Sequence, residues 1–294
     1  MKHMNLMLVA GAIVALPLLA SARSEAKSPP AVWLASDLVG MKVVDKQGES
    51  LGKIEDVVVH PGGEASYAVL SFGGVLGMGD KLFAMPWSVL RAVEPNTAKK
   101  DSADSLVLPL DKERLKAAPG FDKKNWPTIA NPDWTKEIDS YYAKDLKSNT
   151  KQPVEAAART SVITWKVSEL KGANVMTPTG EKLGDLKELA IDTNGRVNYV
   201  AVSVGGFLGL GDKLVAVPWG SLTFSLAGDK SDKRLISLAS TKKHLEQAPE
   251  FKEGKENTTL MSEPKYISRL YDYYSCPVYW TSTPAPAGTQ SPKD

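Results

Sequence analysis

The chain has 294 residues, 43% hydrophobic and 24% charged, a make-up that suits a globular protein and a length that allows two domains. With 36 Lys and Arg against 34 Asp and Glu, the net charge of +2 excludes a strong electrostatic bias towards nucleic acid, anionic membrane or acidic substrates. One cysteine, Cys276, excludes an internal disulfide, and three His leave a His/Cys metal site few donors.

The chain begins with a basic start at Lys2 and His3, an apolar run from Leu6 to Leu19, and the small-residue pattern Ala20-Ser21-Ala22. That run is shorter than the roughly 20 residues that cross a bilayer, so residues 1–22 read as a secretory signal cleaved after Ala22, giving a periplasmic or secreted protein. The alternative is an uncleaved anchor, which is also the one membrane contact expected. A later apolar stretch, Val197 to Leu210, is short and is broken by Asn198 and three glycines.

After a short segment at 23–32 the sequence repeats itself. Trp33 falls on Trp165, Gly40 on Gly172, Gly52 on Gly184, Tyr67 on Tyr199 and Pro86-Trp87 on Pro218-Trp219, all 132 residues apart. About two positions in five match over this span, against roughly one in seventeen by chance, so the chain is an internal duplication. The match continues with a small gap, placing Leu115 on Leu245 and Phe121 on Phe251, and resumes where Pro132 meets Pro264. The organisation expected is a first repeat at 33–142, a linker at 143–162, a second repeat at 163–274 and a disordered tail at 275–294.

Within a repeat the pattern is strands first and helix later. Leu51 to Val59 is β-branched-rich and ends at His60-Pro61-Gly62-Gly63; the second copy has Asp192-Thr193-Asn194-Gly195, a hairpin signal. The return strand alternates, so Ala68, Leu70 and Phe72, or Val200, Val202 and Val204, face a core. Further strands are expected near Lys81 to Met85 and Val107 to Leu110, and Asp111 is placed to cap a short helix carrying Leu115. The fold class expected is mainly β with helical extensions: two tandem small barrels, each followed by short helices.

Each copy carries one long motif, GGVLGMGDKLFAMPW from Gly73 to Trp87 and GGFLGLGDKLVAVPW from Gly205 to Trp219. With the preceding L-x-G-x-x-V and GExLGxI (Leu38 to Ile54), these residues resemble the PRC-barrel family, most closely its exported stand-alone bacterial type. The resemblance implies a small β-barrel that supplies binding surfaces for proteins or RNA-associated assemblies rather than one chemistry. The membrane helix of a reaction-centre H subunit and the N-terminal domain of a ribosome-maturation factor are both missing, so fold and a binding role are what carry over.

The motif residues are Gly77, Gly79, Asp80, Lys81 and Trp87, then Gly209, Gly211, Asp212, Lys213 and Trp219. Asp-Lys leads into a strand pattern, whereas a phosphate loop would lead into a helix, so the glycines read as a tight turn. Asp80 and Asp212 are expected to cap that turn with Lys81 and Lys213 pointing outward, a partner-facing salt bridge being the alternative. Trp87 and Trp219 are expected to close one barrel end over its core. Aromatics of the extensions, Trp126, Trp134, Tyr266 and Tyr273, either pack a helix back on the barrel or face a partner.

No catalytic constellation is visible: beyond the signal the His are His60, which aligns with Asp192, and His244, and there is no Gly-x-Ser-x-Gly elbow. No enzyme activity, cofactor, metal or nucleic-acid partner is expected, and Cys276 reads as an exposed thiol, a mixed disulfide with a partner being the alternative. The sequence points to an exported adaptor or scaffold that binds a protein or envelope partner or itself. The alternative is a stress-related periplasmic protein holding a small ligand in a cleft between the barrels.

Overall fold

The structure, a computed structural model, describes residues 32–72, 81–92, 105–128, 131–146, 164–205, 213–227, 234–252, 254 and 261–278. The signal-like residues 1–22 and most of the expected linker and tail lie outside these. In the first repeat the chain runs β1 (Val32–Leu34), α1 (Ala35–Leu38), β2 (Lys42–Val44), β3 (Ser50–Val59), β4 (Ala65–Phe72), β5 (Lys81–Pro86), β6 (Arg91–Ala92), β7 (Ser105–Val107), α2 (Lys112–Lys116), β8 (Gly120–Asp122) and α3 (Pro132–Leu146). The second repeats the plan with β9 (Trp165–Lys166), α4 (Val167–Leu170), β10 (Asn174–Met176), β11 (Lys182–Asp192), β12 (Val197–Val204), β13 (Lys213–Pro218), β14 (Leu222–Leu226), β15 (Arg234–Leu238), α5 (Lys242–Glu246) and α6 (Pro264–Tyr273).

The long hairpin of each repeat is the centre of its sheet. In the first sheet the order is β6-β7-β2-β3-β4-β5-β8, and in the second β13-β12-β11-β10-β15-β14. Neighbours are antiparallel except β2 with β7 and β10 with β15, which run parallel. The alternation read from the sequence sets the inner face: Ala68, Leu70 and Phe72, with Val200, Val202 and Val204, are buried in one large cluster. The other face is buried as well, because the extension helices cover it. Tyr199 and Ala201 lie beneath Ile267, Leu270 and Tyr271 of α6, and β12 is therefore buried at every position. Asp111 caps α2 as expected, its Oδ1 accepting from the Arg114 amide at 2.7 Å, and Thr241 does the same for α5.

The two sheets are completed crosswise. β1, from the start of the first repeat, pairs with β11 of the second (Trp33 opposite Ile191), and β9, from the start of the second, pairs with β3 of the first (Trp165 opposite Val59). At the hairpin tips the repeats touch again: the Ala65 amide donates to Gly195 O at 2.6 Å and the Val197 amide to Gly63 O at 2.8 Å. Each contact has its counterpart 132 residues away, the reciprocal pattern of a two-fold symmetric dimer interface inside one chain. The main apolar cluster contains residues of both repeats, so the core runs through the seam.

The tips depend on glycine for two reasons. Gly63 and Gly195 hold φ of +93° and +82°, which side-chain-bearing residues rarely adopt, and each lies flat against a tryptophan of the opposite repeat, Trp219 and Trp87 respectively. Gly180 has a similar φ of +89° but open space around it. Gly195→Ala is therefore expected to cost about 2–4 kcal/mol and Gly180→Ala about 1 kcal/mol, the difference measuring the tryptophan contact. Thermal or urea unfolding of the two variants checks this, and equal losses would mean that backbone strain alone matters.

Candidate functional site

The seam between the repeats brings together residues that the two copies share. Pro86 and Pro218 end their strands and lead into a short 3-10 turn that opens with Trp87 or Trp219. Trp87 and Trp219 lie against the hairpin-tip glycines of the opposite repeat, Gly195 and Gly63, and are buried at 6% and 4% exposure. Trp219 Nε1 donates to Pro61 O at 2.8 Å, and its ring stacks on Phe224 with centroids 4.4 Å apart. Trp33 meets Trp87 edge-on at 6.4 Å, and Trp165 meets Phe224 at 5.7 Å.

Two buried carboxylates sit behind these rings. β-bulges between Ile54 and Asp56, and between Leu186 and Glu188, turn an acid inward at the same place in each copy. Asp56, 4% exposed, accepts from the Val57 amide at 2.8 Å and from the backbone and hydroxyl of Ser168, the second residue of α4 in the opposite repeat. Glu188, 7% exposed, accepts from the Leu189 amide, from the Ser36 amide of α1 in the opposite repeat at 3.3 Å, and from Lys171 Nζ at 3.2 Å. Each acid thus anchors the short helix that the other repeat sends across. Burial pushes the Asp56 carboxyl above its ordinary value, opposed by hydrogen bonds from Ser168 and Val57 and by the charge of Lys166. Neither acid belongs to the motif shared by the two copies. Their trace in the sequence is an acid at matching positions of the two long strands.

The remaining candidates fall in three groups. Gly77, Gly79, Asp80, Gly209, Gly211 and Asp212 lie outside the described residues. Lys81 is exposed beside Asp122 in the strand register, whereas Lys213 turns inward, donating to Glu246 O at 2.7 Å and Ala248 O at 3.3 Å. The end of α5 gathers unpaired carbonyls, and the ammonium satisfies them, so Lys213 does not project outward as expected. His60 and its counterpart Asp192 share a plain role, each accepting from the amide two residues on and closing the hairpin turn.

The extension aromatics fasten the outer helices to the sheets. Trp134 packs against Tyr67 at 5.7 Å and Phe121 at 6.1 Å, and Trp126 meets Phe121 at 5.0 Å. Tyr266 meets Tyr199 at 6.2 Å and donates to Glu250 O at 2.9 Å; Tyr273 stacks on His244 and donates to its carbonyl at 2.7 Å. All four are half-buried, and burial raises the Tyr266 phenol well above its usual range. Among the described residues Val39 is the large apolar side chain left exposed. Cys276 is half-buried against Gly220 rather than freely exposed, and burial pushes its thiol up. No group of three metal-ligating side chains occurs among the described residues.

A family model of the PRC-barrel domain matches residues 32–114 and again 165–245, more than half of the chain. The chain belongs to the PRC-barrel family. Each PRC-barrel match begins at the crossing strand, β1 or β9, and stops before the covering helix, α3 or α6. A PRC-barrel unit in this sequence is therefore not a spatial unit, since its first strand completes the other barrel. A comparison with curated proteins finds no match.

The acid at the seam has a defined signature. An Asp whose folded pKa lies above its unfolded value of 3.8 binds a proton more readily when folded, so stability falls as pH rises through that window and is flat above it. Asp56→Asn keeps an acceptor for Ser168 without a buried charge. It is expected to be at least as stable as the parent at pH 7 and to lose that part of the pH dependence. Asp56→Ala strands the Ser168 donors and should cost about 1–3 kcal/mol. Unfolding followed between pH 3.5 and 8 separates the two outcomes.

Proposed function

We propose that this PRC-barrel protein is an exported, non-catalytic adaptor whose outer faces bind protein or envelope partners. The observation that carries the reading is the contrast between its seam and its outside. The crossing strands, tip glycines, seam tryptophans and anchoring acids occur in both copies, whereas the solvent sides of the covering helices differ. α3 shows Lys136, Glu137, Ser140 and Lys144 to solvent, and α6 shows Lys265, Ser268, Arg269 and Asp272. A shared scaffold with two unlike outer faces suits a molecule that joins two things. Export rests on the signal-like residues 1–22, with the periplasm or the exterior as the location. Among the described residues no helix is long and apolar enough to cross a membrane.

The reading in which a small ligand lies between the barrels finds no support at the seam, where Trp87 and Trp219 occupy the space against Gly195 and Gly63. Photo-crosslinkers placed at Glu137 and Arg269 in intact cells test the adaptor reading, with exposed Lys187 on the sheet as a control. The expected result is a defined protein or envelope component captured at a helix position at least fivefold above the control. Capture equal at all three positions, or a soluble metabolite that raises the melting temperature without any capture, would overturn it.

A further inference from the structure

We infer that the seam is a recognition surface that fits the first repeat to the second and rejects a copy of itself. Most seam contacts pair like with like: Trp33 and Trp165, Ser36 and Ser168, Gly63 and Gly195, Trp87 and Trp219 hold equivalent places. Those contacts alone would serve two first repeats, or two second repeats, as well as one of each. The copies differ at several seam positions, Asp56 against Glu188 among them, and two of these differences bear on which repeat pairs with which.

Glu64 and Arg196 are counterparts 132 residues apart, and they face each other across the seam. The flanking bonds, Ala65 amide to Gly195 O and Val197 amide to Gly63 O, make theirs a non-hydrogen-bonded pair, the site where opposed side chains come closest. Arg196 Nη1 stands 3.2 Å from Glu64 Oε1, with His60 Nδ1 3.7 Å from Glu64 Oε2. A pairing of two first repeats would set Glu64 against Glu64 here, and a pairing of two second repeats Arg196 against Arg196.

Leu34 and Lys166 are also counterparts. Leu34, on β1, is buried in the apolar cluster with Met261, Ile267 and Leu270, whereas Lys166, on β9, holds its ammonium 4.7 Å over the Trp126 ring. Two second repeats together would set Lys166, with its ion partner Glu169 at 3.0 Å, against that apolar cluster in place of a leucine. Both substitutions act in the same direction. The half-interface of the first repeat therefore takes the second repeat as its occupant, whether from the same chain or from another copy of it, and this holds whatever binds the outer faces.

The test uses the full chain with a protease site placed between residues 147 and 163 and cut after folding. The two pieces are expected to stay together as a one-to-one complex through size exclusion. After unfolding and refolding the cut sample, native mass spectrometry should find unlike pairs at least tenfold over like pairs. Glu64→Arg in the cut, natively folded protein should weaken the complex on dilution by about fivefold, and adding Arg196→Glu should restore it to within about twofold. Separation of the pieces after cutting, comparable amounts of like and unlike pairs, or failure of the second reversal to rescue the first would each overturn the inference. The dilution measurement needs no refolding, so it decides the matter even where the pieces do not regain structure.

Discussion

Everything in this molecule leans on two very short antiparallel pairings, β1 on β11 and β9 on β3. A strand of two or three residues adds few hydrogen bonds of its own, yet these carry Trp33 and Trp165 and lead into the helices that the buried acids hold. Remove one crossing strand and an acid loses its Ser partner, while the barrel that received the strand loses part of its sheet. The hairpin tips and the tryptophan-on-glycine contacts follow from the same geometry, because they require the two long hairpins to lie where the crossing strands put them. Stability is thus shared across the seam rather than resident in either repeat, which is why the apolar core is continuous through it.

The buried acids are part of that logic rather than an exception to it. A carboxylate taken out of water is costly unless its lone pairs are used. Here each faces amides or a hydroxyl at the start of a short helix arriving from the other repeat, and an apolar side chain at that place could not hold those donors. The extension helices perform a complementary task on the outside. Their aromatics, Trp134 and Tyr266 above all, convert a sheet face that would otherwise meet solvent into a second buried layer, and leave the polar side of each helix outward. The scaffold is consequently repetitive and its surface is not.

Much of this could be read from the residues alone, and what could not has a physical reason. Duplication, the long hairpins, their inner faces and the cap at Asp111 are periodic or local features, and local physics dictates them. The crossing strands are too short to show a period, so in the sequence Trp33 and Trp165 mark only the starts of the two repeats. The direction of Trp87 and Trp219 depends on how Pro86 and Pro218 end the preceding strands, and on a glycine more than a hundred residues away along the chain. Lys213 resembled an outward charge because nothing nearby in sequence announces the carbonyls of Glu246 and Ala248. Asp56 and Glu188 were hidden by bulges that shift the alternation by one residue.

The crossing of strands also orders events during synthesis. The first barrel cannot close its sheet when residue 146 has been made, because the strand that belongs beside Val58 and Val59 is Trp165–Lys166, at the threshold of the second repeat. The second barrel, by contrast, has been waiting for nothing: β1 was made long before β11. Folding of the chain is therefore held open from its middle. The early half completes its sheet only once the late half has begun.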